Sequence, residues 1–257
     1  MTLTLILMAI GALLLLIIIY NIVQQYWQKQ EEEKRALLLF HNNIINETDD
    51  LLHNANQLPF SNILLVTLYN RMLHSLQTMQ QQNRNDARIK TRCLNIEQQI
   101  RQITKNEPSE LPELVSPDSD QQAIHMLKVV KRLRAVLDIE HNKGRIDNQD
   151  FFQEDRRLEL IRLKLNLTNL SRHTHTALDN DEPHTARQML EKGLAVLEKT
   201  PEKDEQLNKL ENNLQQQLDE LTLAQEQEQQ EKKAQQARQE EQEKSELDVL
   251  FEPKRKW

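Results

Sequence analysis

The sequence is short of glycine, aromatic residues and cysteine, and each shortage weighs against a class of protein. Only three glycines occur in 257 residues: Gly11, Gly144 and Gly193. Phosphate-cradling loops, sheet bulges and many tight turns rely on glycine, because it alone takes positive φ at little cost. The balance is therefore against an α/β enzyme and for an all-α chain. Aromatic residues make up 4% of the chain. That is too little bulk for a large globular core, although Leu, Ile and Val suffice for helix-on-helix packing. Cys93 is the single cysteine, so neither an intrachain disulfide nor a cysteine metal cluster can form, which suits a reducing compartment. Reactive cysteines need basic neighbours. Only Arg92 adjoins Cys93 in sequence, so Cys93 reads as a partly buried helix residue.

Catalytic signatures are missing as well. The chain has no Gly-rich phosphate loop and no HExxH, GxSxG or CxxC. It has eight histidines, but His173 and His175 lie two apart and would point about 200° apart on a helix. His175 with Asp179, and Asp49 with His53, are four apart and share a helix face. Two ligands do not make a metal site. No catalytic residue, cofactor or metal is expected. The net charge of -7 argues against non-specific binding of nucleic acid. The basic run Lys128, Lys131, Arg132 and Arg134 reads as a solvated helix face.

What the chain does have is concentrated at its start. Residues 2–23 read TLTLILMAIGALLLLIIIYNIV, and no charged side chain precedes Lys29. About 20 apolar residues at a 1.5 Å rise span a hydrocarbon core of about 30 Å. Tyr20, Tyr26 and Trp27 follow, where amphipathic rings anchor at the headgroup level. A cleaved signal peptide needs a basic n-region, a shorter apolar core and a small-residue cleavage site, and the segment has none of these. It is expected to persist as a transmembrane anchor in contact with the lipid bilayer. Lys29, Lys34 and Arg35 follow it, and no Lys or Arg precedes it. The positive-inside rule then places a single-pass chain in the inner (plasma) membrane with its body facing the cytoplasm. In this respect the chain resembles bacterial single-pass inner-membrane proteins.

Beyond the anchor, residues 24–105 read as a membrane-proximal helical region. Leu37, Leu38, Phe40, Ile44, Ile45, Leu51 and Leu52 form a helical stripe that Pro59 interrupts. Ser61 is the expected N-cap of the next helix, and a further helix runs to about Ile103. Residues 106–119 hold Pro108, Pro112 and Pro117 and read as a linker. Residues 120–224 form a second helical domain, capped by Ser119 or Asp120, with one helix ending at Gly144. Within LELIRLKLNLTNL, Ile161, Leu163, Leu165 and Leu167 alternate as in a strand. Leu160, Leu163, Leu167 and Leu170 also fit one helical face, and a helix contacted on two sides is expected.

A helix then starts at Pro183. Leu170 and Ala177 in the helix before it, and Ala186, Leu190 and Gly193 within it, occupy positions similar to those of a degenerate tetratricopeptide hairpin over about residues 165–201. Thr174 and the late Pro201 depart from that pattern. The resemblance implies a protein-binding surface, and one such unit cannot bury its own faces alone.

Leu207, Leu210, Leu214, Leu218 and Leu221 make a seam close to a heptad repeat. It suits either packing on the hairpin or a homo-oligomer. Residues 225–246 form a charged Gln/Glu-rich helix or tether. Residues 247–257 form an apolar and basic peptide in which Leu247, Leu250, Phe251 and Trp257 are candidate contacts for an unidentified protein partner. The whole reads as an all-α chain: a transmembrane helix, then helical hairpins or a bundle, then a long C-terminal helix or coiled coil. The expected role is a scaffold or adaptor, and the alternative is a self-associating structural or sensor-type protein that uses the seam.

Overall fold

The computed structural model describes the backbone of residues 2–83, 86–105 and 114–251, and the helix side chains of residues 2–16, 237 and 239–251 lie outside the described residues. The described chain is all-helical. Seven α-helices follow one another: α1 (Thr2–His53), α2 (Asn62–Gln82), α3 (Ala87–Lys105), α4 (Asp120–Asn142), α5 (Asn148–Asp179), α6 (Pro183–Glu198) and α7 (Glu205–Phe251). Contacts divide the chain into two compact units, Met1–Val115 with His125–Glu159, and Ser116–Ile124 with Leu160–Trp257. The division places most of α4 with α1–α3. Most of the 106–119 stretch lies outside the described residues.

In the first unit α1 is a single helix of 52 residues. It ends where a 3-10 turn, Asn54–Asn56, leads to Pro59. Asn54 helps to close it, its side-chain amide donating to the Asp50 carbonyl at 2.7 Å. Ser61 then caps α2 as its sequence position predicts, its hydroxyl accepting from the Leu64 N–H at 3.0 Å. Leu37 and Gln82 line one cleft while Glu47 meets Arg71, so α1 and α2 run antiparallel. The core joining α1, α2 and α3 is Ile45, Met72, Leu76, Cys93 and Ile96. Each Ile, Leu or Met among these, fully buried, contributes about 1.5–3 kcal/mol. Helix α4 is buried over a wide face, Met126, Val129, Val130, Leu133, Val136 and Leu137. Gly144 ends its connection with φ +67°, which glycine takes at little cost.

The LELIRLKLNLTNL segment, whose residues 160–170 belong to the second unit, lies wholly within α5. Leu165 and Leu167 are both buried there, although residues two apart point about 200° apart on a helix. That two-sided cover explains the strand-like alternation. The turn into α6 carries Asp181 at φ +61°; a short polar side chain tolerates this left-handed backbone better than most. Pro183 then opens α6 in its first turn, where its missing N–H costs nothing. The core is Leu167, Leu190, Leu197, Leu207 and Leu214, drawn from α5, α6 and α7.

Candidate functional site

Helix α1 leaves about three turns of largely apolar side chains exposed. Ile17, Ile18, Ile19, Tyr20, Ile22, Val23, Tyr26 and Trp27 are each between 47% and 67% exposed. Consecutive positions on a helix cover its whole circumference, so the turn at residues 17–20 is apolar all round. Leu39 and Phe40, further along, are also exposed. Among the described residues no helix is long and apolar enough to cross a membrane. The expected span 2–23 falls mostly on side chains of residues 2–16, outside the described residues.

The second unit places the predicted hairpin and seam residues together. Ala186, Leu190 and Gly193 are buried on α6, and Ala177 is buried on α5. Gly193 lies where α5, α6 and α7 meet. A Cβ there would come within 2.8 Å of Leu170 Cδ2 and 3.4 Å of Leu214 Cδ1. Thr174 is fully buried but satisfied, its hydroxyl donating to the Leu170 carbonyl at 3.0 Å. Of the seam, Leu207 and Leu214 are enclosed in this core, and Leu210, Leu218 and Leu221 pack against it half-buried. The side chains of Leu247, Leu250 and Phe251, and Trp257 entirely, lie outside the described residues.

The first unit holds an ion network that the hydrophobic pattern conceals. Arg71 is buried on α2 and donates to Glu47 at 2.8 Å and to Glu140 at 3.4 Å. Glu140, 1% exposed at the end of α4, also takes Arg145 at 2.8 Å and Lys143 at 3.4 Å. Glu154 is equally buried; it accepts from the Ser61 hydroxyl at 2.6 Å and is bridged by Arg157, which also donates to the Pro59 carbonyl. Burying such charges is tolerated only because each is paired and hydrogen-bonded.

His41 and His74 stand beside this network. Both imidazoles are held below their ordinary value of 6.5, first by burial and then by neighbouring cations: His74, Lys143 and Arg145 act on His41, and Arg145 and Lys143 act on His74, against the opposing pull of Glu140. Arg145 lines a cleft of about 410 Å³ together with Ile63, Val66, Ile103, Asp147 and Asp150. The sequence carries one signal of this cluster. Arg71, Glu140 and Glu154 sit in register with Leu68, Leu137 and Leu158, where the apolar stripe asks for a hydrophobe.

The histidine–carboxylate pairs at helical spacing do not converge. His53 Nδ1 meets the Asp49 backbone carbonyl at 2.7 Å, while the Asp49 carboxylate takes Arg92. His173 lies 3.3 Å from Asp120, and His175 meets Gln217 at 3.1 Å. Among the described residues no three metal-ligating side chains gather. Within the basic run, Arg134 bonds Asp155 and Glu159, whereas Lys128, Lys131 and Arg132 are exposed. Cys93 is buried, and its thiol is pushed up by that burial and then by Glu97. No protein-family model matches the chain, and neither a curated protein nor a solved structure is significantly similar to it.

Proposed function

We propose that this chain is a membrane-anchored helical scaffold: residues 2–23 hold it in the inner (plasma) membrane, and its cytoplasmic body engages a protein partner without catalysis. The supporting observation is the eight exposed large apolar side chains from Ile17 to Trp27. A helix that is apolar all round needs a non-aqueous surrounding. The uncharged stretch before them continues the same character toward the amino terminus. Because α1 is continuous to His53, the anchor and the first bundle share one helix, so the anchor would set where the bundle stands.

The tetratricopeptide-like hairpin and the tail with Leu247, Leu250, Phe251 and Trp257 are the proposed partner contacts. The self-association reading has less support, because Leu207 and Leu214 are already enclosed within one chain.

Alkaline carbonate extraction tests the anchor. The full chain is expected in the membrane pellet and a chain lacking residues 2–23 in the supernatant; release of the full chain would overturn the anchor. Protease added outside intact cells is expected to spare the body. Crosslinking with the full chain and with a chain ended after Lys244 tests the tail, which is expected to lose one partner on truncation.

A further inference from the structure

Helix α2 has two apolar faces. Leu64, Leu68 and Met72 recur every four residues and are buried. Ile63 and Val66, three apart, lie on a different face and are only half-buried. The cleft of about 410 Å³ is lined by that second face. Ile103, near the end of α3, and Ile146, in the connection after α4, add to its aliphatic lining, and both are half-buried. Its charged lining carries both signs: the Arg145 guanidinium, and the carboxylates of Asp147 and Asp150 where α5 begins. Every lining residue belongs to the first unit. The charged groups keep capacity for a ligand. Arg145 Nη1 donates to Glu140 at 2.8 Å, which engages one part of a guanidinium that has five donors. Asp147 accepts from the Gln149 N–H through one carboxylate oxygen at 3.0 Å. Asp150 is exposed on the first turn of α5.

We propose that this cleft binds a free aliphatic α-amino acid of about the size of leucine. Small-molecule sites are concave and largely apolar, with a few polar groups that fix orientation, and enclose about 300–1,000 Å³. The three parts of such a ligand match three parts of the lining. Its α-carboxylate pairs with Arg145, because a guanidinium offers a carboxylate parallel donors. Its α-ammonium donates to Asp150 and Asp147. Its side chain covers Ile63, Val66 and Ile103, which the fold leaves half-buried. A simple amine would leave Arg145 without a counterpart, and a simple carboxylate would meet Asp147 and Asp150 with like charge. The zwitterion satisfies both signs. The site lies within one unit and is independent of the proposed anchor.

The test uses the full chain in nanodiscs of zwitterionic lipid, titrated with L-leucine while the methyl signals of Ile63, Val66 and Ile103 are followed by NMR. Saturable shifts of these signals are expected. N-acetyl-L-leucine lacks the ammonium and L-leucinamide lacks the carboxylate; each is expected to bind at least about tenfold more weakly, as the loss of one hydrogen bond to a charged group implies. Glycine, which lacks the side chain, is expected to give no saturation in the same range. Asp150→Asn and Ile103→Asn are expected to weaken L-leucine binding by about tenfold or more. Asp150 is exposed, so that variant keeps the fold even if Ile103→Asn does not. Equal binding of L-leucinamide would assign the cleft to a simple amine and overturn the amino-acid site. Absence of saturation by L-leucine, or binding unchanged in Asp150→Asn, would overturn it as well.

Discussion

Arg71, Glu140 and Glu154 each occupy a position that the helical stripe reserves for an apolar side chain. They are stable there because each has a partner of opposite charge from another element or the next turn. Their presence at core register was legible in the sequence; their partners were not, because Arg71 and Glu140 lie 69 residues apart and only packing brings them together. His41 and His74 follow the same rule, since their cationic neighbours come partly from the connection after α4. Their depressed proton affinity sets a pH dependence. Between the folded value and 6.5, the unfolded chain binds more protons than the folded chain. Folding stability is therefore expected to fall as pH drops below about 6.5. Urea midpoints at about pH 7.5 and pH 5.5 measure this, and a His41→Gln, His74→Gln double variant is expected to show a shallower decline.

The elements themselves were largely readable. Ser61, Ser119, Gly144 and Pro183 stand at the helix boundaries that their local chemistry predicts, because capping and φ preferences act within a few residues. The buried face of α4 was harder to read. It includes Met126, Val129 and Val136 beyond the single stripe, while Ile124 is half-exposed. How wide a face is buried depends on how many neighbours the helix has, which no periodicity reports.

Gly193 shows the same limit. Its spacing marked it as a small residue, but the reason is the approach of Leu170 and Leu214. Gly193→Ala is expected to change stability by less than about 1 kcal/mol, since the gain in helix propensity offsets the displacement of flexible leucine ends. Gly193→Val is expected to cost about 2 kcal/mol by overpacking. Denaturant unfolding of both variants measures the difference, and equal losses would place the close contact elsewhere.

Across the whole molecule, α4 and α5 each contribute residues to both compact units. Residues 226–236 of α7 are exposed, whereas Leu207 and Leu214 complete the core of the second unit. A chain ended after Lys244 keeps every residue of that core. One ended after Lys203 loses two enclosed leucines worth about 2–5 kcal/mol each and should unfold the second unit. Thermal melts of the two truncated chains against the full chain read this directly.

The sequence by itself determined the all-helical class, most helix boundaries and the uncharged apolar start, because these depend on composition, on local caps and on runs of adjacent residues. Tertiary structure decided the rest. It enclosed Leu207 and Leu214 against α5 and α6, closed Gly193 against its neighbours, and drew Arg71, Lys143 and Arg145 around Glu140. Those outcomes rest on contacts between residues far apart in the chain, and such contacts exist only once the helices pack.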